Sequence, residues 1–186
     1  MSDLLRLFIA VMPPPHLQQE ITALKEYIAE KWGPRHALKS PPHITMYPPF
    51  CWKTENLPIL KGCLEQLAGK QRPFWVMTDN FGAFAPKVFF IKPEPSPQLK
   101  NLFLQLKKTL EKELWLTDDR TSKPFHPHLT LATRDMPPAL FDEIWAAFQQ
   151  KSFQRAFEVH SIALLQWFGD HWEVRDEFPF AKKTGR

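Results

Sequence analysis

The sequence predicts an α+β fold of two pseudo-symmetric lobes, each a mostly antiparallel sheet with flanking helices, around a central cleft. Three observations predict it. Helical stripes with apolar residues at steps of three and four alternate with short β-type runs. Several of those runs follow one another without a helix between them, which favours antiparallel pairing. A strand carrying a proline-flanked histidine, followed by a helix, occurs near residue 43 and again near residue 128. No linker interrupts the chain, so residues 1–186 are expected to form a single bilobal domain.

Leu4 to Met12 (LLRLFIAVM) reads as a buried strand. Pro13 to Pro15 open a helix, because proline suits the first turn, where the amide has no helical partner. Leu17, Ile21, Leu24, Ile28 and Trp32 mark its buried face, and Gly33-Pro34 ends it. The next strand, His43 to Tyr47, is bracketed by Pro41-Pro42 and Pro48-Pro49. A second helix follows, with Leu57, Leu60, Leu64 and Leu67 on one face and Gly69 as its breaker. Phe74 to Asp79 and Val88 to Lys92 read as strands around a loop containing Gly82 and Pro86. A long helix from about Pro97 to Trp115 carries the stripe Leu99, Leu102, Phe103, Leu106 and Leu110. After a polar loop, Thr117 to Lys123, comes the strand His128 to Thr133. The helix behind Pro137-Pro138 buries Leu140, Phe141, Ile144, Trp145 and Phe148. Two terminal strands, Phe157 to Phe168 and Trp172 to Phe178, meet across Gly169-Asp170.

A chain that is 44% hydrophobic and 24% charged supports a packed core and argues against a disordered one. Nothing approaches the ~20 apolar residues of a membrane span, and no basic segment precedes the first strand as a leader would require. A cytoplasmic protein with no membrane association is expected. The net charge of +4 suits a phosphate-bearing ligand, without the long basic block of a general nucleic-acid surface. Cys51 and Cys63 lie outside any CxxC or zinc spacing and are expected to be reduced, buried thiols. Neither a cofactor nor a stable protein partner is implied, and a monomer is the expectation.

The chemistry-bearing residues lie in Pro41-Pro42-His43-Ile44-Thr45-Met46 and Phe125-His126-Pro127-His128-Leu129-Thr130-Leu131. Both contain histidine, an apolar residue, threonine and an apolar residue. On a strand, residues two apart share a face, so each motif turns an imidazole and a hydroxyl one way and two apolar side chains the other. A single such motif is an ordinary strand histidine more often than not. Two of them, in matching lobes, make a site. Opening a cyclic phosphodiester requires one group to take a proton from water and another to give one to the departing sugar oxygen. Histidine does either near neutrality. Two hydroxyls complete the site by bonding the non-bridging oxygens, and no metal is called for.

These motifs resemble the signature of the two-histidine (2H) phosphoesterases, and within them the 2'-5' RNA ligase, or LigT-like, group. The opening Arg6-Leu7-Phe8-Ile9-Ala10 and the lead-in Phe125-His126-Pro127-His128 are similar to that group as well. The resemblance implies hydrolysis of 2',3'-cyclic phosphate ends of RNA or nucleotides, or reversible 2'-5' joining of RNA ends. His43 and His128 would be catalytic, with His128 favoured as the group that activates water, and Thr45 and Thr130 would hold the phosphate. Members often place an arginine three residues after the second threonine. Here that position is Thr133, and Arg134 reaches the cleft only if a bulge shifts the strand by one residue.

The alternative is a binding module that holds a nucleotide or RNA end in the same cleft without turnover. A metal-dependent hydrolase has thinner support, since the pair His126 and His128 lacks a third ligand. Phe50, Trp52, Phe84, Phe125 and Trp167 are candidates to stack on a base, and Lys39, Lys87, Lys123 and Arg134 to steer phosphate. For each of these the plainer reading is packing or a solvated charge. His16, His36, His160 and His171 have no paired context and are expected to face solvent or cap strands.

Overall fold

The computed structural model describes residues 3–182. In chain order the elements are β1 (Leu4–Val11), α1 (Pro15–Trp32), β2 (Ile44–Lys53), α2 (Leu57–Ala68), β3 (Phe74–Phe84), β4 (Val88–Pro93), α3 (Pro97–Leu114), β5 (Leu129–Thr133), α4 (Pro138–Phe148), β6 (Ala156–Val159), β7 (Ser161–Trp167) and β8 (Trp172–Pro179). Each helix has proline at its first or second position, and α1 ends at Gly33 in the left-handed conformation with φ 99°.

The strands form one eight-stranded sheet in the order β6-β3-β4-β5-β2-β1-β7-β8, and every pairing is antiparallel. It divides into two four-stranded halves, β2-β1-β7-β8 and β5-β4-β3-β6. Among the described residues only β2 and β5 connect them, through the single pair Ile44–Leu129. The halves do not coincide with the two halves of the sequence. The first takes its strands from both ends of the chain and the second from the middle. The helices exchange as well: α1 packs on β5 and α4, while α2 and α3 pack on each other and reach β8 and β2. One apolar cluster runs through both halves and includes Ile9, Ile44, Ile91 and Leu129 with Ile21 of α1 and Leu106 of α3.

Three expectations about strands are corrected. The terminal run expected from Phe157 to Phe168 is two strands broken at His160, where the chain passes from β6, paired with β3, to β7, paired with β1. β2 is not stopped by Pro48-Pro49. These two prolines lie at a register shift, where Phe8 alone faces them across β1, and a bulge leaves no ladder bond for their missing amides. Gly82 lies inside β3, opposite Phe90, rather than in a loop. A Cβ there would come within 2.6 Å of Phe90 Cε2, so glycine lets that ring lie flat across the strand. The cysteines also differ from expectation: Cys51 is exposed and Cys63 half-buried. Among the described residues no helix is long and apolar enough to cross a membrane.

Candidate active site

Ile44 and Leu129 face each other directly and both are fully buried. The same antiparallel register, extended one residue each way, sets His43 opposite Thr130 and Thr45 opposite His128. All four side chains therefore point to the face away from the Ile44–Leu129 contact. The two motifs are related by a pseudo-two-fold axis through that pair. Diagonal neighbours of this kind have Cα atoms about 7–8 Å apart, which leaves room for a phosphorus between the imidazoles. Burial secures the register. Slipping by one residue would bring Ile44 into the cleft and bury His43, forfeiting about 1.5–3 kcal/mol for each large apolar side chain exposed.

Each histidine is held the same way. His43 Nδ1 lies 2.7 Å from the Pro41 carbonyl and His128 Nδ1 2.8 Å from the His126 carbonyl, each two residues back and each followed by proline. A carbonyl only accepts, so Nδ1 carries the hydrogen in both rings. Nε2 is then the free nitrogen: an acceptor when the ring is neutral, a donor when it is charged. A phenylalanine from the neighbouring strand braces each ring, Phe8 of β1 at 4.7 Å from His43 and Phe90 of β4 at 5.3 Å from His128. Phe84 meets His128 edge-on at 5.2 Å.

Both motifs also carry a bulge at the same place. After Thr45, Met46 and Tyr47 are consecutively buried and Pro48 returns to the cleft side; after Thr130, Leu131 and Ala132 are buried and Thr133 returns. The register shift of β5 against β4, between Phe89 and Phe90, is that bulge. It turns Thr133 to the same hollow as Thr130. Arg134 joins them by a different device. The Asp135 amide donates to the Thr133 carbonyl at 2.7 Å, closing a three-residue turn over Arg134, whose φ is 59°. A turn with positive φ at a non-glycine centre is rare and strained, and here it delivers the arginine to the hollow that holds His43.

That hollow, about 180 Å³, is lined by His36, Lys39, Ser40, His43, Thr45, Thr130 and Arg134, with Phe8 and Trp172 as its apolar side. A 3-10 turn, His36–Lys39, brings the first residues there. Two contacts fix this turn. The Asp135 carboxylate accepts from the Arg35 and His36 amides at 2.7 and 2.8 Å. From below, buried Lys25 of α1 donates Nζ to the Ala37 and Ser40 carbonyls, each at 3.0 Å. Among the described residues, Lys25, Lys39 and Arg134 have no carboxylate partner.

The electrostatics follow from this crowding. Burial pushes the Lys25 ammonium down to about 8. His43 is pushed down to about 4, first by burial and then by the nearby Lys25 and His128, against the Pro41 hydrogen bond. His128 is lowered for the same leading reason, with His126 adding to it and its own carbonyl bond opposing. His36 is lowered by burial and by Arg134 and Lys39, with Asp135 opposing. The two histidines are therefore neutral at pH 7, beside the cations Lys25, Lys39 and Arg134.

A second hollow, about 510 Å³, adjoins the first at Thr45 and is lined by Pro48, Phe84, Phe103, Arg120, Lys123, Phe125, His126 and His128. Of the sequence candidates, Phe84, Phe125, Lys39, Lys123 and Arg134 thus line the cleft, whereas Phe50 and Trp52 pack in the first half-sheet and Lys87 sits at the β3–β4 turn. Trp167 packs against Trp172 and Arg6. His36, expected to face solvent or cap a strand, lines the site. Phe8, Phe90, Trp172 and Lys25 carried no distinguishing signal, since the first three read as core and Lys25 as the polar side of α1. Among the described residues no group of three or more His, Cys, Asp or Glu side chains is arranged to hold a metal ion.

The chain is similar to known proteins over nearly its whole length. A protein of Bacillus cytotoxicus that bears a provisional phosphoesterase name is 29% identical over 181 residues, covering 96% of this chain and 98% of the relative. A similarly named protein of Oceanobacillus iheyensis is 28% identical over 173 residues, 91% of this chain and 95% of its own. Among solved structures, a Thermus thermophilus protein superposes with TM-score 0.68 at 23% identity, covering 96% of this chain and 99% of that one. Escherichia coli LigT, solved with 3'-AMP, superposes with TM-score 0.61 at 18% identity over 95% and 98%. Residues 13–171, most of the chain and both histidine motifs, match the 2'-5' RNA ligase superfamily, and the protein belongs to that family of phosphoesterases.

Proposed function

We propose that the protein hydrolyses 2',3'-cyclic phosphate ends of RNA or nucleotides without a metal, and that it also joins such ends to a 5'-hydroxyl in 2'-5' linkage. The observation that carries this reading is the Ile44–Leu129 pair, whose register puts two histidines with free Nε2 atoms and two threonines on one face of the sheet. In hydrolysis His128 Nε2 takes a proton from water as its oxygen bonds to phosphorus. One ring P–O bond breaks, and His43 Nε2 gives its proton to the departing ribose oxygen. Thr45 and Thr130 donate to the non-bridging oxygens. His43 is neutral at pH 7, and a phosphate anion beside it favours its charged form. In joining, the 5'-hydroxyl takes the place of water: His128 Nε2 takes its proton, the bond from phosphorus to the 3'-oxygen breaks, and His43 Nε2 protonates that oxygen, leaving phosphorus on the 2'-oxygen. Cleavage of the 2'-5' bond is this step run backwards with the roles exchanged. The 3'-AMP bound to LigT is a ribose phosphate of the kind that opening a cyclic phosphate releases.

The test is turnover of a panel of nucleoside 2',3'-cyclic phosphates in EDTA, with the His43→Ala/His128→Ala double variant as control. Wild type is expected to turn over at least one member and the double variant none. Tight binding with no product from any member would sink the catalytic reading and leave a binding module.

A further inference from the structure

The cleft does not end at the hollow beside His128. A third cavity, about 640 Å³, shares Phe84, Phe125 and His126 with it. Its lining is apolar, with Phe90, Pro93, Pro95 and Pro97 added, and Lys92 and Lys100 stand in its wall. Each of the two larger hollows alone is within the ~300–1,000 Å³ range of a site for one small-molecule ligand. The middle hollow, beside His128 and Thr45, accounts for the nucleoside whose phosphate reacts. The third remains to be filled.

We infer that this third cavity binds the base of the nucleotide immediately 5' of the reacting end, so that the preferred substrate is an oligonucleotide rather than a mononucleotide. The inference rests on the proposed function for the position of the reacting phosphate. Three features of the cavity fit a base. Phe84, about 40% exposed, separates the two hollows and offers ring surface to both, as a side chain between two bases would. Phe125 stacks on Phe103 at 4.4 Å and 12°, adding a second aromatic wall. Gly82 lets Phe90 lie flat as the floor. The charges fit the linking phosphate. Lys92 is held by Asp79 at 2.7 Å, whereas Lys100 is exposed and has no carboxylate partner among the described residues.

The pseudo-symmetry supports the assignment by its failure. Beside His43, the neighbouring wall is Trp172, edge-on to Phe8 at 4.7 Å, and Trp172 is covered in turn by Trp167 and by Arg6 at 5.4 Å. The hollow at that motif is the 180 Å³ polar one. A base-sized apolar cavity exists on one side of the reacting phosphate, which gives the cleft a polarity that matches a nucleic-acid strand.

The experiment measures Kd by calorimetry for three product-like ligands: a nucleoside 2'-phosphate, a dinucleotide with a terminal 2'-phosphate, and the same dinucleotide abasic at its 5' position. It also measures kcat/KM for the matching 2',3'-cyclic phosphates. Wild type is expected to favour the dinucleotide over the mononucleotide by about 10- to 100-fold in both readouts, with the abasic ligand close to the mononucleotide. In Lys100→Glu, and in Pro95→Trp, which fills the rim, that ratio should fall towards one. Equal Kd for all three ligands in wild type overturns the inference. Preference without turnover would keep the cavity assignment and overturn the proposed reaction, so the two readings fail separately.

Discussion

The two histidine motifs share a backbone and differ in their surroundings. Both rings bond a carbonyl two residues back through Nδ1, both are braced by a phenylalanine from the next strand, and both threonines are followed by a bulge. Around His43 the walls are cationic and the hollow small; around His128 they are aromatic and the hollow large. The shared part is what proton transfer needs. On the proposed function, the unshared part distinguishes one end of a substrate from the other, so that the duplicated unit supplies the reaction and the departure from symmetry its direction.

The largest effect should come from breaking the shared part. His43→Ala and His128→Ala are each expected to lower kcat by about 10²–10⁴-fold, the contribution of one positioned acid or base. The double variant should fall little further, because neither proton transfer proceeds alone. Neither side chain belongs to the apolar cluster, so melting temperatures should stay within a few degrees of wild type. Steady-state assays and thermal melts on the three variants test this. Losses that multiply would show the two histidines acting independently, and the pseudo-two-fold account would fail.

The shared part was also the legible part. His43 with Thr45 and His128 with Thr130 stand out because period two on a strand places both polar groups on one face. Their meeting across Ile44 and Leu129 was not legible, since pairing between β2 and β5 is a long-range choice made by burial. The bulges were hidden for a related reason: an extra residue in one strand is defined only against its partner, here β4 for Thr133 and β1 for Pro48. The break at His160 joins two apolar runs that read as one strand, because both are buried and only the partners change. Lys25 looked like one more solvated charge on an amphipathic helix, and only the turn folded over it makes it buried.

Lys25 is the next place to press on the asymmetry, because among the described residues the second motif has no buried cation beside it. A lysine with a folded pKa of about 8 and an unfolded value of 10.5 holds its proton less readily when folded. The unfolded chain therefore binds the extra proton between about pH 8 and 10.5, and stability attributable to this residue rises across that window. Below pH 8 the buried charge costs about 3 kcal/mol relative to the neutral amine. In Lys25→Met this slope should vanish, so that urea unfolding from pH 7.5 to 10.5 shows the wild-type curve gaining on the variant by about that amount. At neutral pH the variant should lose activity as well, because the Ala37 and Ser40 carbonyls lose the donor that holds the turn bearing His36 and Lys39. Parallel curves would mean that Lys25 titrates as a solvated lysine.

The smallest expected change in stability, and the sharpest separation of stability from function, is at Arg134. Its φ of 59° is a conformation that glycine adopts freely and other residues adopt at a cost of order 1–3 kcal/mol. Arg134→Gly should relieve part of that cost, raising stability by up to about 1 kcal/mol, while removing a guanidinium from the hollow that holds His43. Arg134→Ala removes the same charge and keeps the strained backbone, so it should show the activity loss without the gain. Both are expected to lower kcat/KM by about 10-fold or more, the loss of one charge-assisted contact to phosphate. Unfolding curves and kinetics on the pair separate the two contributions. If glycine stabilises and activity is unchanged, the strained turn serves only to lead Asp135 back to the Arg35 and His36 amides. If both variants lose activity and only glycine gains stability, the strain is retained because it places the arginine at the first motif, where the bulge alone turns only Thr133 inward.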